Sequence, residues 1–181
     1  VEKVVMASIL DSVDARTKLV GKNRLEILMF RLAHGQLFAI NVFKVQEVQH
    51  VPKLNNIPES SHNVIGVTTV RGQTIPVIDL ARSIGMFSPG VQEDSNIVVT
   101  EYYGRVQAFL VQGVERIVNL DWGQIQPPPK GTGRSHYLTA FTRIDDKIVE
   151  IIDVEKVLSE VMIFSANISD GILEEDRKST R

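Results

Sequence analysis

Residues able to carry chemistry are few and scattered in this 181-residue chain. The four histidines, His34, His50, His62 and His136, show no HxH or HExxH spacing and no carboxylate at ligand spacing beside them, so no metal site is expected. Cysteine is absent, which removes disulfides, thiolate nucleophiles and Cys-based zinc or iron–sulfur sites. Serines cluster at Ser60, Ser61, Ser83 and Ser88, but no GxSxG elbow presents one as a nucleophile. Ser61-His62 and Ser135-His136 are neighbours in sequence, which carries no information about triad geometry. The "GKN" at 21–23 lacks the rest of a P-loop, and "KGTGRS" at 130–135 follows three prolines in place of a strand and opens no helix. Paired carboxylates at Asp145-Asp146 and Glu174-Glu175-Asp176 fall on a turn and in a polar tail, where nothing encloses them to set an acid against a base. The residues therefore predict no catalytic group, no metal and no cofactor.

Composition narrows the remaining classes. A formal net charge of −2 leaves no basic surplus for phosphates, so no nucleic-acid partner is expected. With 43% hydrophobic residues the chain has material for a core, and at this size it buries roughly 70% of its unfolded surface. The run "EIIDVEKVLSEVMIF" is broken by charge, so no membrane insertion is expected. The start "VEKVVMASILDSVDART" meets Asp11 and Asp14 before any apolar stretch long enough for a signal peptide.

The elements that would position a site are mostly strands. "LEILMFRL" and "QLFAI" flank His34-Gly35, and "VIGVTTV" and "TIPVID" flank Arg71-Gly72. "NIVVTEY" and "VQAFLV" flank Tyr103-Gly104, and "YLTAFTRI" and "KIVEIID" flank Asp145-Asp146. Glycine or aspartate at each turn supplies the backbone freedom of a tight hairpin. Four hairpins in succession predict an antiparallel barrel or sandwich. Helices are expected at Ser8–Leu19, with Ser8 as N-cap, at Leu80–Gly85, and from Asp153 onward. In the last, Val154, Val157, Leu158, Val161 and Met162 make one apolar stripe.

One pattern occurs twice. Asp79 and Asp153 both follow a strand and stand at a helix N-cap, 153 − 79 = 74 positions apart, and Ile75–Ile78 aligns with Val149–Ile152. A separation this long predicts two similar halves, with "FSPGVQEDS" (87–95) and "DWGQIQPPPKGTGRSH" (121–136) as the loops between parts. Residues 1–22 read as an N-terminal extension with a short helix, 23–162 as the folded domain, and 163–181 as a polar tail or linker. On these grounds the chain is a β-rich protein of two similar parts and a binding module.

Four stretches carry the reading further: "LFAINVFKVQEV" (37–48), "IPESSHNVIGVTTVRGQTIPVIDL" (57–80), "GVERIVNL" (113–120) and "YLTAFTRIDDKIVEIIDVEKVL" (137–158). Pro58, Gly66-Val67, Arg71-Gly72, Pro76-Val77 and Asp79-Leu80 fall in one register, and together these residues resemble the CheW-like coupling domain of bacterial chemotaxis. Within that family the opening "SILDSVDARTKLVGKNRLEILMFRL", the "PPPKG" loop and "RIDDKIVEIIDVEKVL" are most similar to the coupling half of CheV proteins, in which a receiver domain follows. The resemblance implies a mainly β fold of two small five-stranded, SH3-like barrels, interleaved along the chain, with an N-terminal and a C-terminal helix. It implies a non-catalytic cytoplasmic scaffold associated with receptor arrays, whose partners are the chemoreceptor cytoplasmic tip and the regulatory domain of the kinase CheA. A receptor-binding groove would draw on Val45, Glu47, Val48 and Arg71, with Gly113 and Val114 on the other wall.

Other readings of these residues stay open. Val45 and Val48 also fit an ordinary core, although strand alternation places Val45 and Glu47 on one exposed face. Arg71 fits an interface hot spot or a turn arginine tied to a nearby carboxylate. Asp79 and Asp153 read as structural caps, capping alone accounting for Asp79. The alternative function is a sensor domain binding a small molecule in the cleft between barrels.

Overall fold

The structure, a computed structural model of the chain, describes residues 24–58, 60–128 and 136–161. Ten strands occur there: β1 (Arg24–Arg31), β2 (Leu37–Asn41), β3 (Val45–His50), β4 (Val64–Val70), β5 (Gln73–Asp79), β6 (Asn96–Tyr102), β7 (Arg105–Val111), β8 (Gly113–Asp121), β9 (Leu138–Ile144) and β10 (Lys147–Ile152). The expected hairpins β1–β2, β4–β5, β6–β7 and β9–β10 all pair antiparallel. Three turn on two residues of positive φ: Arg71 (49°) with Gly72 (80°), Tyr103 (49°) with Gly104 (71°), and Asp145 (49°) with Asp146 (59°). This mirror-image turn continues the right-handed twist of its strands.

The strands form two five-stranded sheets, β8-β1-β2-β10-β9 and β3-β6-β7-β5-β4. Stepping five strands along the chain converts one order into the other, so the two sheets are copies of one plan. The 74-residue offset seen at Asp79 and Asp153 extends through hydrogen bonds. Asp79 N–H donates to the Asn63 carbonyl and Asp153 N–H to the Tyr137 carbonyl, both at 2.8 Å. The buried Thr68 and Thr142 hydroxyls donate to the Lys53 and Gln124 carbonyls, at 3.4 and 2.9 Å. Two residues beyond each of those carbonyls, Asn55 bridges Val67 and Gln126 bridges Phe141, drawing each sheet toward closure.

The crossings between sheets are not at the loops 87–95 and 121–136. Each of those loops joins strands of one sheet. The chain crosses between β2 and β3 through a 3-10 turn, Val42–Lys44, and between β7 and β8 through Gln112 alone. Links this short leave no cluster of Pro, Gly or charge to mark them in the sequence.

Alternation along the strands builds three cores. Ile27, Met29, Ala39, Leu120, Val149 and Ile151 fill the β1 sheet's own core, and Ile75, Val77, Ile97, Val99, Ala108 and Leu110 fill that of the β6 sheet. The intervening residues, among them Leu28, Phe30, Phe38, Ile78, Phe109 and Val111, meet in a shared core between the sheets. Residues 154–161 are helical, and Val154, Val157, Leu158 and Val161 are buried as their spacing requires. Met162, the expected helix at Ser8–Leu19 and the tail 163–181 lie outside the described residues. The other helix spans Leu80–Ser83, and Gly85 at φ 77° stops it.

Both aspartate caps form, but they are unequal. Asp153 Oδ1 accepts from Glu155 N–H at 3.0 Å. Asp79 Oδ1 accepts from Arg82 N–H at 3.0 Å, and its Oδ2 accepts from the Ser88 hydroxyl and lies 3.7 Å from Arg82 Nη2. Asp79 is 1% exposed. Capping alone does not account for it: the carboxylate also ties the loop after the helix to the end of β5, because an anion this buried needs every lone pair answered.

Candidate binding surface at the seam of the two sheets

The Val42–Lys44 turn delivers the chain into β3. Asn41 Oδ1 accepts from Phe43 N–H at 2.9 Å and fixes the turn. Lys44 pairs with Glu155 on the C-terminal helix, and that hydrogen bond raises the Lys44 pKa above its ordinary value.

Beyond it, β3 carries an extra residue. Val45 pairs with Thr100 and Glu47 with Val99, so the register shifts between them. Thr100 and Val99 are adjacent on β6 and face opposite sides, which means simple alternation does not cross the bulge. Val45 and Glu47 therefore do not share one exposed face as alternation predicts. Val45 is half-buried against the shared core, Val48 is 37% exposed, and Glu47 is half-buried.

Arg71 and Glu47, 24 positions apart in sequence, form an ion pair. The Arg71 side chain is 76% exposed and that of Glu47 23%. The β4–β5 turn thus holds a cation over the bulged edge strand, with Val48 alongside Glu47 in sequence. Arg71 is a turn arginine tied to a carboxylate, and that tie also fixes where its exposed guanidinium stands.

The other wall differs from expectation in one respect. Val114 is half-buried against the shared core, like Val45, and its N–H donates to Asn96 Oδ1 at 3.2 Å. Gly113 is buried beneath Arg31: a Cβ there would lie 2.6 Å from Arg31 Nη2. Arg31 Nη2 is 3.5 Å from Asp94 and its Nε 2.9 Å from Glu115, the latter without the alignment of a hydrogen bond. Gly113 makes room for this arginine rather than presenting surface.

Residue patterns alone missed a second copy of the corner. On β8, Phe30 pairs with Val114 and Leu28 with Ile117 across a bulge like that of β3. Val45, Glu47 and Val48 thereby correspond to Val114, Arg116 and Ile117. Arg116 forms an ion pair with Asp145, which stands 74 positions after Arg71. Ile117 is 56% exposed in the place of Val48. Aligning "VQEV" (45–48) with "VERI" (114–117) would have exposed the correspondence.

Among the described residues no cluster of three metal-ligating side chains occurs, and no helix is long and apolar enough to cross a membrane. The arrangement sets exposed charge over half-buried apolar residues on an edge strand.

A family model described as a CheW-like domain matches residues 26–162. The chain is 32% identical over 166 residues to "Chemotaxis protein CheV2" of Helicobacter pylori, covering 82% of this chain and 53% of that protein. It is 29% identical to "Chemotaxis protein CheW" of Klebsiella aerogenes, covering 74% and 81%. The crystal structure of the scaffolding protein TtCheW from Thermoanaerobacter tengcongensis superposes with a TM-score of 0.67 at 30% identity, over 74% of this chain and 86% of that one. The chain spans about half the length of the CheV relatives it matches.

Proposed function

The chain belongs to the CheW-like domain family, and from that premise we propose that it is a chemotaxis coupling scaffold without catalytic activity of its own. It joins the cytoplasmic tip of a chemoreceptor to the regulatory domain of the kinase CheA, in the cytoplasm at receptor arrays. The supporting observation is the corner formed by Glu47 and Arg71. A largely exposed guanidinium is held in place by its ion pair, beside the half-buried Val45 and the partly exposed Val48. A helical receptor tip would lay an apolar ridge along Val45, Val48 and Val114 and offer an acceptor to Arg71. Gly113 contributes by leaving room for the Arg31 guanidinium.

Coupling then needs no chemistry at this protein. Receptor binding at the seam and kinase binding are linked equilibria, so the factor by which either partner changes the affinity for the other is the same in both directions.

The direct test is binding of purified receptor tips to Arg71→Ala and Val45→Asp variants. Losses of about 2 kcal/mol, roughly 30-fold in Kd, are expected for a hot-spot residue. Folded variants that bind receptor tips undiminished would remove the groove from this corner.

A further inference from the structure

The chain passes between the two sheets at two crossings, and each delivers one wall of the proposed groove. Val42–Lys44 leads into Val45, and Gln112 leads through Gly113 into Val114. The first crossing is three residues long, and Asn41 and the Lys44–Glu155 pair hold it. The second is one residue long. A residue has only two soft backbone dihedrals, so the direction in which β8 sets out depends on Gln112 and on what grips it.

The grip is made from both sheets. Gln112 N–H donates to the Arg31 carbonyl at the end of β1, at 2.9 Å. The side chain uses both ends of its amide: Nε2 donates to the Gly90 carbonyl at 3.1 Å, and Oε1 accepts from the Ser95 hydroxyl at 3.2 Å. Ser95 is buried, and its oxygen accepts from Gln92 N–H at 2.8 Å, which leaves the hydroxyl proton for Gln112. Just past the crossing, Asn96 Oδ1 accepts from Val114 N–H at 3.2 Å, and Asn96 itself faces Val111 across the β6–β7 ladder. The segment leading into β6 thus holds the start of β8 at two points, one on each side of Gly113.

Neither bond is needed to build the β1 sheet, because β8 pairs with β1 from Gly113 onward through its own backbone. What Gln112 and Asn96 add is the relation of Val114 to the other sheet, the one that carries Val45, Val48 and Arg71. We propose that Gln112 is a positioning residue for receptor binding: together with Asn96 it fixes Val114 relative to the β6 sheet and so sets the spacing between the two walls. A polar network whose donors and acceptors are all answered holds one geometry. This role rests on the reading of the seam as the receptor surface.

Gln112→Met keeps the length of the side chain and removes both amide bonds. Titration with a purified receptor tip is expected to show about tenfold weaker binding by the folded variant, and the same loss for Asn96→Ala, which leaves Gln112 in place. Thr142→Val is the control: it deletes a 2.9 Å hydrogen bond on β9, at the opposite end of the strand order from β8, and should bind as the unmodified chain does. Undiminished binding by Gln112→Met or Asn96→Ala, while Arg71→Ala weakens it, overturns the positioning role and leaves the proposed function standing. Equal losses for Gln112→Met and Thr142→Val also overturn it, since any loss of stability would then suffice. Amide exchange supplies a readout without receptor: Gln112→Met should speed exchange at Val114 about tenfold more than at Ile97 in β6. A uniform change, or none, overturns the positioning role. Undiminished binding by Arg71→Ala would instead remove the proposed function, and exchange at Val114 then decides alone whether Gln112 fixes that wall.

Discussion

The β4–β5 turn and the β9–β10 turn occupy the same corner of the two sheets with opposite charge. Arg71 reaches to Glu47 on β3, and Asp145 pairs with Arg116 on β8. The fold carries a turn-to-edge ion pair twice, once with each sign. Aspartate is at ease at positive φ, whereas arginine is not favoured there. Asp145 at φ 49° therefore follows from the turn itself, while Arg71 at the same angle runs against local preference. Tyr103 stands at the same angle, so the angle alone does not mark a site; what sets Arg71 apart is its ion pair to Glu47 with the guanidinium 76% exposed.

The largest difference between halves should appear at Gly66, whose counterpart 74 positions on is Ala140. Gly66 has φ 150°, and a Cβ there would lie 2.8 Å from the Asn55 carbonyl oxygen that closes the sheet. Gly66→Ala is expected to cost about 3 kcal/mol in chemical denaturation, against about 1 kcal/mol for Ala140→Gly. Equal costs would break the claim that backbone approach differs between the halves.

Next come the two caps. Asp153→Ala loses one exposed-side cap, about 1 kcal/mol. Asp79→Ala also strands the Ser88 hydroxyl and frees the 87–95 loop, and should cost about 2–3 kcal/mol. Urea midpoints measured side by side distinguish this from simple capping, which predicts matching losses.

The ion pairs themselves should matter little to stability. Glu47→Gln and Arg116→Gln are each expected to change it by less than about 1 kcal/mol, since both pairs include an exposed partner. A larger loss for one would show that the fold does prefer a sign at that corner.

The smallest effect concerns Glu150, which stands where the first half has Pro76. Burial raises the Glu150 pKa, opposed by the hydrogen bond from Gln36. The native state therefore holds a proton that the unfolded chain has released, and stability falls as pH rises between the unfolded and the raised native pKa. Glu150→Gln keeps an acceptor for Gln36 and should raise the melting midpoint slightly at pH 7, with the gain disappearing below the unfolded pKa. A gain that is constant with pH would exclude this cause.

Much of this architecture is written locally. Gly or Asp at Gly35, Gly72, Gly104 and Asp146 marks each of the four hairpins, and the stripe Val154, Val157, Leu158, Val161 marks the helix, because turn geometry and amphipathic spacing act over a few residues. The crossings through Val42–Lys44 and Gln112 were not legible, since a strand can change sheets without any breaker residue. Nor was the bulge at Gln46, which displaces Val45 from Glu47 and depends on the partner strand. For the candidate surface, Glu47 and Arg71 were legible as neighbours only through the family pattern. Gly113 needed the position of Arg31, and Arg116–Asp145 needed the alignment of two edge strands far apart in sequence.

The most direct measurement compares Arg71→Asn with Asp145→Asn by isothermal titration against a purified receptor tip. Asparagine suits positive φ at both turns and removes the charge from each. The account predicts that Arg71→Asn weakens binding roughly 30-fold with stability nearly unchanged, while Asp145→Asn binds within about twofold of the unmodified chain. Equal losses at the two turns, or full binding by Arg71→Asn, would contradict it.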